Sequence, residues 1–220
     1  MLNNAAIAVD AVVFGYRERL EILLVRRGIE PWSGAWALPG GFVHDDEDLD
    51  AAVVRELHEE TGLRGVALEQ LRAFGAPGRD PRGRVVTVAY LALVPPRPAS
   101  AGTDAAAAKW FSTEELPELA FDHANIVALA RDELRRRARR APVGFELLPP
   151  DFTFAELQAL YEALLGEPLD KRNFRKKLLS TGLLVPRAER RGSTGRPAGL
   201  WSFDRARHDA LADAGFEFRI

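Results

Sequence analysis

The segment from Gly41 to Leu63 constrains the fold of this chain more than any other stretch of its 220 residues. Asp48–Thr61 predicts a helix, because its first turn is acidic, which suits the helix dipole, and Gly62 follows where a C-terminal cap belongs. Glycine, arginine, glutamate and aliphatic residues occupy fixed offsets along this segment. An acidic, solvated helix face does not require all these residue types together, so the segment predicts a helix with catalytic or ligand-binding residues.

Three glutamates of the predicted helix form a candidate metal site. Glu56 lies three and four residues before Glu59 and Glu60, so all three carboxylates project from neighbouring positions on one face. Like charges this close repel each other unless a cation lies among them, and carboxylate oxygens suit Mg²⁺ or Mn²⁺. We expect Glu47 to support Arg55, and Arg55 in turn to orient the glutamates.

The loop before this helix supplies candidate ligand contacts. Gly40 and Gly41 allow the backbone to come close to a phosphate chain. Trp32 and Trp36 either stack on a base or pack beneath the loop, and the sequence leaves both roles open. Four arginines are either surface residues or partners for phosphate and ribose hydroxyls: Arg26, Arg27, Arg79 and Arg82.

The rest of the N-terminal half predicts an α/β fold. Ser112 with Glu115 forms a capping-box signature, which predicts a short helix, and a longer helix is predicted from Asp122 to about Arg137. Mixed strands with a central and a closing helix describe an α/β sandwich with a mixed sheet. Runs rich in Val, Ile and Leu predict its strands at residues 5–14, 20–26, 66–74 and 84–94.

Composition and charge narrow the class of protein. The chain has no cysteine, which excludes a disulfide scaffold and fits a reducing cytoplasm, where we expect the protein. No apolar run approaches the roughly 20 residues that a membrane span needs, so no membrane partner is expected. Residues 1–130 hold 12 Lys and Arg against 19 Asp and Glu, whereas residues 131–220 hold 18 against 13. This asymmetry indicates either contact of the second half with a polyanion or an ordinary arginine-rich surface.

A second domain is predicted after residue 143, where Pro and Gly residues give a linker-like composition. Thr153 with Glu156 forms a capping box, and Asp170 is a good N-cap for another helix. Helix, turn, helix and hairpin are the order of a winged helix-turn-helix domain. The helices are predicted at about 153–165 and 171–180, and the two short strands at 183–186 and 199–203.

Positive charge is concentrated on the second of these helices and on the hairpin. Residues 171–196 contain nine Lys and Arg and one acidic residue. Phosphate contacts dominate DNA affinity, so this charge favours DNA binding over the alternative, a basic dimerisation domain. Phe174, Leu178 and Leu179 are expected to bury against the first helix. The predicted DNA contacts are Arg172, Asn173, Arg175, Lys176 and, at the tip of the hairpin, Arg196.

Residues 41–63 match the Nudix signature, G-x5-E-x7-R-E-U-x-E-E-x-G-U with U aliphatic, at every fixed position. The chain therefore resembles the Nudix enzymes, which hydrolyse a nucleoside diphosphate linked to another group. The resemblance implies that Glu56, Glu59 and Glu60 hold a metal that activates a water for attack on phosphorus. Arg55 joins this catalytic group, and either Glu59 or Glu60 is the candidate general base.

Segments outside the signature make the resemblance more specific. Trp36–Val43, Arg79–Arg84, Leu169–Leu179 and Gly195–Phe203 resemble the Nudix-related transcriptional regulators of NAD metabolism. That family implies a Nudix α/β/α sandwich at residues 1–143, followed by a winged helix-turn-helix domain at residues 144–220. It also implies a homodimer that represses genes of NAD or pentose metabolism and releases its double-stranded DNA operator when ADP-ribose or a related ligand binds.

The intact signature is a departure from that family, because many of its regulators carry an eroded one. One alternative is therefore a Mg²⁺-dependent ADP-ribose pyrophosphatase that forms AMP and a sugar phosphate. A third reading is bifunctional, a repressor that destroys its own inducer.

Overall fold

The structure is a computed structural model that describes residues 4–95, 98, 105–190, 198–214 and 218–220. Its contacts divide the chain into two compact units, residues 1–131 and 132–220. The boundary near residue 143 stays a prediction. No helix in the described ranges is both long and apolar enough to cross a membrane.

Seven strands form one mixed sheet in the first unit: β1 (Ala6–Tyr16), β2 (Leu20–Arg27), β3 (Trp36–Ala37), β4 (Gly40–Phe42), β5 (Glu69–Phe74), β6 (Val85–Leu93) and β7 (Ala105–Ser112). The order is β3-β2-β1-β6-β5, with β4 also paired to β1 and β7 to β2. β1 and β6 are parallel, whereas the other pairs are antiparallel. The predicted mixed sheet is confirmed.

The central strand β1 is buried on both faces of the sheet. Successive side chains of a strand alternate, so Val9, Ala11 and Val13 lie on one face and Val12 and Phe14 on the other. All five are fully buried. Burial on both faces explains why β1 is a nearly continuous apolar run.

Helix α1 (Leu49–Thr61) packs against this sheet and carries the signature glutamates. Asp48 caps it, because its side chain accepts a backbone N–H of the first turn at 2.8 Å. Gly62 ends it in the left-handed conformation that glycine favours, with φ 72°. Ala52 and Leu57 are buried in one core with β1. Glu56 follows Ala52 by four residues and Glu60 follows Leu57 by three, so these glutamates border the buried face of the helix.

Several elements of this unit differ from their predictions. Strand β7 was not predicted, and the short strands β3 and β4 lie in the stretch that was predicted as a loop. The short helix expected after Ser112 is wrong, because this stretch forms a turn in which the N–H of Glu115 donates to the Ser112 carbonyl at 3.2 Å. Pro117 follows at once and lacks the N–H that a continuing helix would need. The closing helix is confirmed as α2 (His123–Arg140), which ends three residues later than predicted.

The second unit has the order of a winged helix: a 3₁₀ turn (Phe145–Leu147), β8 (Phe152–Thr153), α3 (Phe154–Leu165), α4 (Lys171–Thr181), β9 (Leu184–Arg190), β10 (Ala198–Phe203) and α5 (Arg205–Asp213). Its three strands are antiparallel in the order β8-β10-β9. The predicted helices and strands are confirmed, whereas α5 was not predicted. The tip of the hairpin, with Arg196, lies outside the described residues.

Side-chain caps fix the starts of the two predicted helices of this unit. The N–H of Glu156 donates to Thr153 Oγ1 at 3.2 Å, and the Glu156 side chain accepts the Thr153 N–H at 2.6 Å, which completes the capping box. The Asp170 side chain accepts the N–H of Asn173 at 2.8 Å.

The apolar side of α4 is narrower than predicted. Phe174 and Leu178 are buried, but Leu179 is 39% exposed, so its predicted burial is wrong. Five residues turn an α-helix about 140° beyond a full turn, which carries Leu179 away from the face of Phe174.

Candidate functional site

A cleft of about 290 Å³ opens in the first unit. Strands β1, β2 and β4, helix α1, the loop after β5 and the start of α2 all contribute to its lining. Glu56 and Glu60 lie on its wall together with Gly40 and Gly41. The structure thus brings the signature helix and the glycines before it to one concave surface.

Arg55 organises the glutamates beside this cleft. Its Nε donates to Glu47 Oε2 at 2.9 Å, and its Nη2 donates to Glu47 Oε1 at 2.5 Å. Its Nη1 donates to Glu56 at 2.8 Å and to Glu59 at 3.1 Å. The hydrogen bonds from Arg55 lower the pKa of the Glu47 carboxyl to about 2, and they raise the pKa of Arg55 above its ordinary value. The predicted support of Arg55 by Glu47 is confirmed.

Glu60 is held against the glycine segment. Its Oε2 accepts the backbone N–H of Gly40 at 2.9 Å. Burial raises the pKa of the Glu60 carboxyl to about 8 in spite of that hydrogen bond, with smaller contributions from Glu56 and Asp10. Burial also raises the pKa of Glu56. Burial thus disfavours the charged form of both carboxyls, and a bound divalent cation would favour it.

The three predicted metal ligands do not converge on one point. Within the described ranges, no three Asp, Glu or His side chains stand close enough together to hold an ion. Arg55 binds Glu56 and Glu59, whereas the N–H of Gly40 binds Glu60, so these side chains are drawn toward different partners. The Glu59 side chain is 49% exposed. Glu56 and Glu60 are the two that share the cleft, and their hard oxygen donors fit Mg²⁺ or Mn²⁺.

The glycines of β4 lie in close contact with their neighbours. A Cβ at Gly41 would collide with the Glu56 carboxylate, and a Cβ at Gly40 would collide with the carbonyl of Val9. The sequence predicted room for a phosphate chain at these positions. In the structure the missing side chains also allow β4 to fit between β1 and the signature helix.

A buried network that the sequence did not predict forms part of the cleft wall. Nδ1 of His123 accepts the backbone N–H of Leu38 at 2.9 Å, so the ring proton lies on Nε2, which faces Asp10 Oδ1 at 3.5 Å. Arg79 donates twice to Asp122, at 2.6 and 3.1 Å, and only 5% of its side chain is exposed. Burial lowers the pKa of His123, which favours its neutral form.

Three of the four predicted ligand arginines, Arg27, Arg79 and Arg82, line the cleft. Arg79 is committed to Asp122. Arg82 donates to the Asp80 carboxylate from Nε at 3.0 Å and from Nη2 at 2.7 Å, yet 40% of its side chain remains exposed. Arg82 is therefore well placed to meet a ligand.

Three candidate ligand residues, Arg26, Trp32 and Trp36, lie outside the cleft lining. Arg26 donates from Nε to the backbone carbonyl of Gly34 at 3.0 Å. Trp36 packs edge to face against Phe111, with ring centroids 4.7 Å apart. Neighbouring residues of a strand point to opposite faces, so the cleft receives Arg27 and Ala37 instead.

Helix α4 carries four of the five predicted DNA contacts. Arg172, Asn173 and Lys176 are exposed, while Phe174 and Leu178 are buried on the other side of the helix. Arg and Asn side chains can each make two hydrogen bonds to one base edge in a DNA major groove. The helix thus presents, on its exposed face, side chains of the types that contact bases and phosphates.

Arg175 has an intramolecular partner. Its guanidinium carbon lies 4.4 Å from the centroid of the Phe154 ring and 5.9 Å from that of Trp201. These two rings meet edge to face at 5.4 Å. The stack ties α4 to the start of α3 and to β10, which sets Arg175 apart from the other predicted DNA contacts of the helix.

Two family models match the chain, the NUDIX domain at residues 5–130 and the NrtR DNA-binding winged helix domain at residues 144–203. The first match contains the whole cleft, and the second contains α3, α4 and the hairpin. The molecule is therefore a Nudix domain joined to a DNA-binding winged helix.

Two relatives reflect this pairing. The ADPR responsive transcriptional repressor NtrR of Acinetobacter baylyi is 36% identical over 216 residues, which is 96% of this chain and 84% of that protein. The ADP-ribose pyrophosphatase of Methanocaldococcus jannaschii is 42% identical over 124 residues, which is 56% of this chain and 72% of that protein.

Solved structures of Shewanella oneidensis NrtR are also similar. Its complex with a 27mer DNA has 35% identity and a TM-score of 0.75, and the match covers 96% of this chain and 97% of that one. Its NUDIX domain in complex with ADP ribose has 37% identity and a TM-score of 0.57, over 60% and 90% of the two chains. The chain belongs to the NrtR family of Nudix-domain transcriptional regulators.

Proposed function

We propose that this protein is an ADP-ribose-responsive repressor, which binds operator DNA through its second unit and releases it when ADP-ribose occupies the cleft. One observation carries this proposal: a single chain combines a cleft lined by arginines and signature glutamates with a winged-helix domain whose helix α4 exposes basic side chains. The A. baylyi relative is named as an ADPR responsive transcriptional repressor, and the S. oneidensis structures are named as complexes with DNA and with ADP ribose.

The ligand side of the proposal rests on the chemistry of the cleft. Glu56 and Glu60 would hold Mg²⁺ or Mn²⁺, and Glu59 would join them from the more exposed side. The cation, when bound, neutralises the negative charge of a diphosphate. Arg27 and Arg82 would then meet the remaining phosphate or ribose oxygens, because both line the same cleft.

The DNA side rests on the exposed face of α4. Lys171, Arg172, Lys176 and Lys177 form no ion pair with any described carboxylate, so their charge is available to phosphates. Arg172 and Asn173 supply the side chains that read bases. The predicted homodimer would supply a second half-site, and it stays a prediction together with the cytoplasmic location.

A fluorescence-anisotropy titration tests DNA binding by the full chain. Fragments from upstream of the protein's own gene and of its neighbours are titrated at moderate salt. We expect one of them to bind far more tightly than a scrambled duplex of equal length. Arg172→Ala should weaken this binding by about tenfold or more, since a good bidentate base contact contributes about 1–3 kcal/mol. Equal affinity for every duplex, unchanged by Arg172→Ala, would contradict the repressor.

ADP-ribose hydrolysis is the second candidate function, and the intact Arg55 cluster favours it. Arg55 holds Glu47, Glu56 and Glu59 in one hydrogen-bonded group beside the cleft. Water would add across the diphosphate bridge to give AMP and ribose 5-phosphate, with Glu59 or Glu60 as the base. The M. jannaschii relative bears the name of this activity.

Incubation with ADP-ribose and Mg²⁺, followed by chromatography for AMP, tests this activity. If the protein is a hydrolase, AMP should form, and the rate of its formation should fall at least about a hundredfold in Glu60→Gln, as is common for loss of a catalytic acid or base. An absence of AMP, with ADP-ribose still bound, would leave a sensor without catalysis.

A further inference from the structure

Two aromatic residues beside the cleft have an unusual backbone conformation. Among the described residues, Trp32 and Phe121 are the non-glycine residues with positive φ, at 68° and 54°. Bulky side chains rarely adopt this conformation, and where they do the surrounding structure must hold them there. Residues of this kind cluster at ligand sites, so both positions call for a functional explanation.

The two residues come together although 89 positions separate them in the chain. Their ring centroids lie 6.3 Å apart, in an edge-to-face arrangement. Phe121 lines the cleft, while Trp32 stands next to it and is 44% exposed. Ile29, which also lines the cleft, is 61% exposed. An apolar, aromatic surface therefore adjoins the charged side chains of the cleft.

Guanidinium groups already lie over two aromatic rings of the cleft lining. The guanidinium carbon of Arg27 lies 4.9 Å from the centroid of Phe121. That of Arg82 lies 5.5 Å from Phe121 and 4.7 Å from Phe42, which also lines the cleft. A guanidinium and a nucleobase are both planar, and both stack on an aromatic face. The face of Phe121 thus accepts a planar group, and a nucleobase would take the place of a guanidinium there.

We propose that Phe121 and Trp32 form the platform on which the nucleobase of the ligand stacks, with the diphosphate directed toward Gly40 and Glu60. This inference rests on the proposed nucleoside diphosphate ligand and assigns each end of it to a part of the cleft. Packing of the loop alone does not require the left-handed backbone. Trp36 shows this, because it packs on Phe111 from the regular strand β3.

The experiment compares ligands with and without a base. Calorimetry in the presence of Mg²⁺ measures the binding of ADP-ribose, ADP and inorganic pyrophosphate to the full chain. Trp32→Leu and Phe121→Leu should each weaken the binding of ADP-ribose and of ADP by about tenfold or more, since stacking a base on an aromatic ring contributes about 1–3 kcal/mol. Binding of pyrophosphate, which has no base, should stay within about twofold.

Two further variants separate stacking from folding. Phe121→Tyr keeps the aromatic face and should bind ADP as the original chain does. Phe111→Leu makes the matched change at an aromatic residue outside the cleft, and it should leave ADP binding unchanged.

The possible outcomes are distinct. If the leucine variants weaken the binding of ADP and of pyrophosphate equally, or weaken neither, the platform is overturned. The proposed ligand would then still stand. A failure of the original chain to bind ADP-ribose and ADP would overturn the proposed ligand and the platform together.

Discussion

Three arginines at or beside the cleft and the cations of α4 are held in opposite ways. In the first unit, Arg79 is paired with Asp122, Arg82 with Asp80 and Arg55 with Glu47, each through at least two hydrogen bonds to one carboxylate. On α4, no described carboxylate pairs with the basic side chains Lys171, Arg172, Lys176 and Lys177.

This difference matches what each unit would bind. A small anion is recognised by groups fixed in advance, because pre-ordered side chains lose little entropy when the ligand arrives. A DNA duplex offers a row of phosphates, so flexible charges that release counterions are sufficient. We therefore expect the fixed pairs to contribute to selectivity in the cleft and the unpaired charges to contribute to affinity on α4.

The largest expected effect comes from breaking a fixed pair. Asp122→Ala would leave Arg79 buried with only Asp10, at 3.8 Å, to offset its charge. Loss of one partner of a buried pair costs about 3–5 kcal/mol, and we expect a loss of about 3 kcal/mol in the free energy of unfolding. Urea denaturation measures it.

A double variant provides the control for this prediction. Arg79→Met with Asp122→Leu removes both charges and should restore most of the stability, because an apolar pair of similar size often replaces a buried ion pair without loss. A loss below about 1 kcal/mol in Asp122→Ala, the range typical of exposed pairs, would show that the pair is not rigidly held.

Within α4, the salt dependence of DNA binding separates a phosphate contact from a positioning residue. Lys176→Ala should lower the slope of log affinity against log salt by about 0.9, since one phosphate contact is lost. Arg175→Ala should weaken binding several-fold with an unchanged slope, because Arg175 stacks on Phe154 and Trp201. An equal fall of the slope in both variants would make Arg175 an ordinary phosphate contact.

The smallest expected effect concerns His123 and pH. Burial holds the pKa of His123 below its ordinary value of about 6.5, so the unfolded chain takes up a proton before the folded one does. Stability is therefore lost as pH falls below about 6.5, by at most about 1.4 kcal/mol per pH unit for one group.

His123→Gln keeps a side-chain acceptor for the Leu38 N–H and removes this titration. Denaturation curves between pH 7.5 and 5.5 should show a shallower decline for the variant than for the original chain. The same slope in both would mean that His123 is protonated equally in the folded and unfolded states.

Local patterns explain which parts of the fold the sequence predicted. Helix α1 has its cap, its apolar stripe and its terminal glycine within one short segment, so it could be predicted almost to the residue. Strand β7 begins with four alanines, which have little tendency to form strands, and pairing with β2 decides its conformation. The short helix was predicted from Ser112 and Glu115 alone, without regard to Pro117.

The same distinction applies to the site. The contacts of Arg55 with Glu47 and Glu56 follow from signature spacing, and they were predicted. The approach of His123 to Asp10 joins residues 113 positions apart, and no periodic pattern marks such a pair. Arg175 was predicted to contact DNA from its place on the basic helix. Its ring partners lie on other elements, which the pattern of the helix does not reveal.

One measurement tests the central claim, that a ligand in the cleft governs DNA binding on the same chain. ADP-ribose with Mg²⁺ is titrated into the preformed complex of the full chain with its operator, and anisotropy reports the bound DNA. The account predicts release of the DNA by ADP-ribose and retention of it with ribose 5-phosphate at the same concentration. A complex that binds ADP-ribose by calorimetry yet keeps its DNA throughout would contradict it.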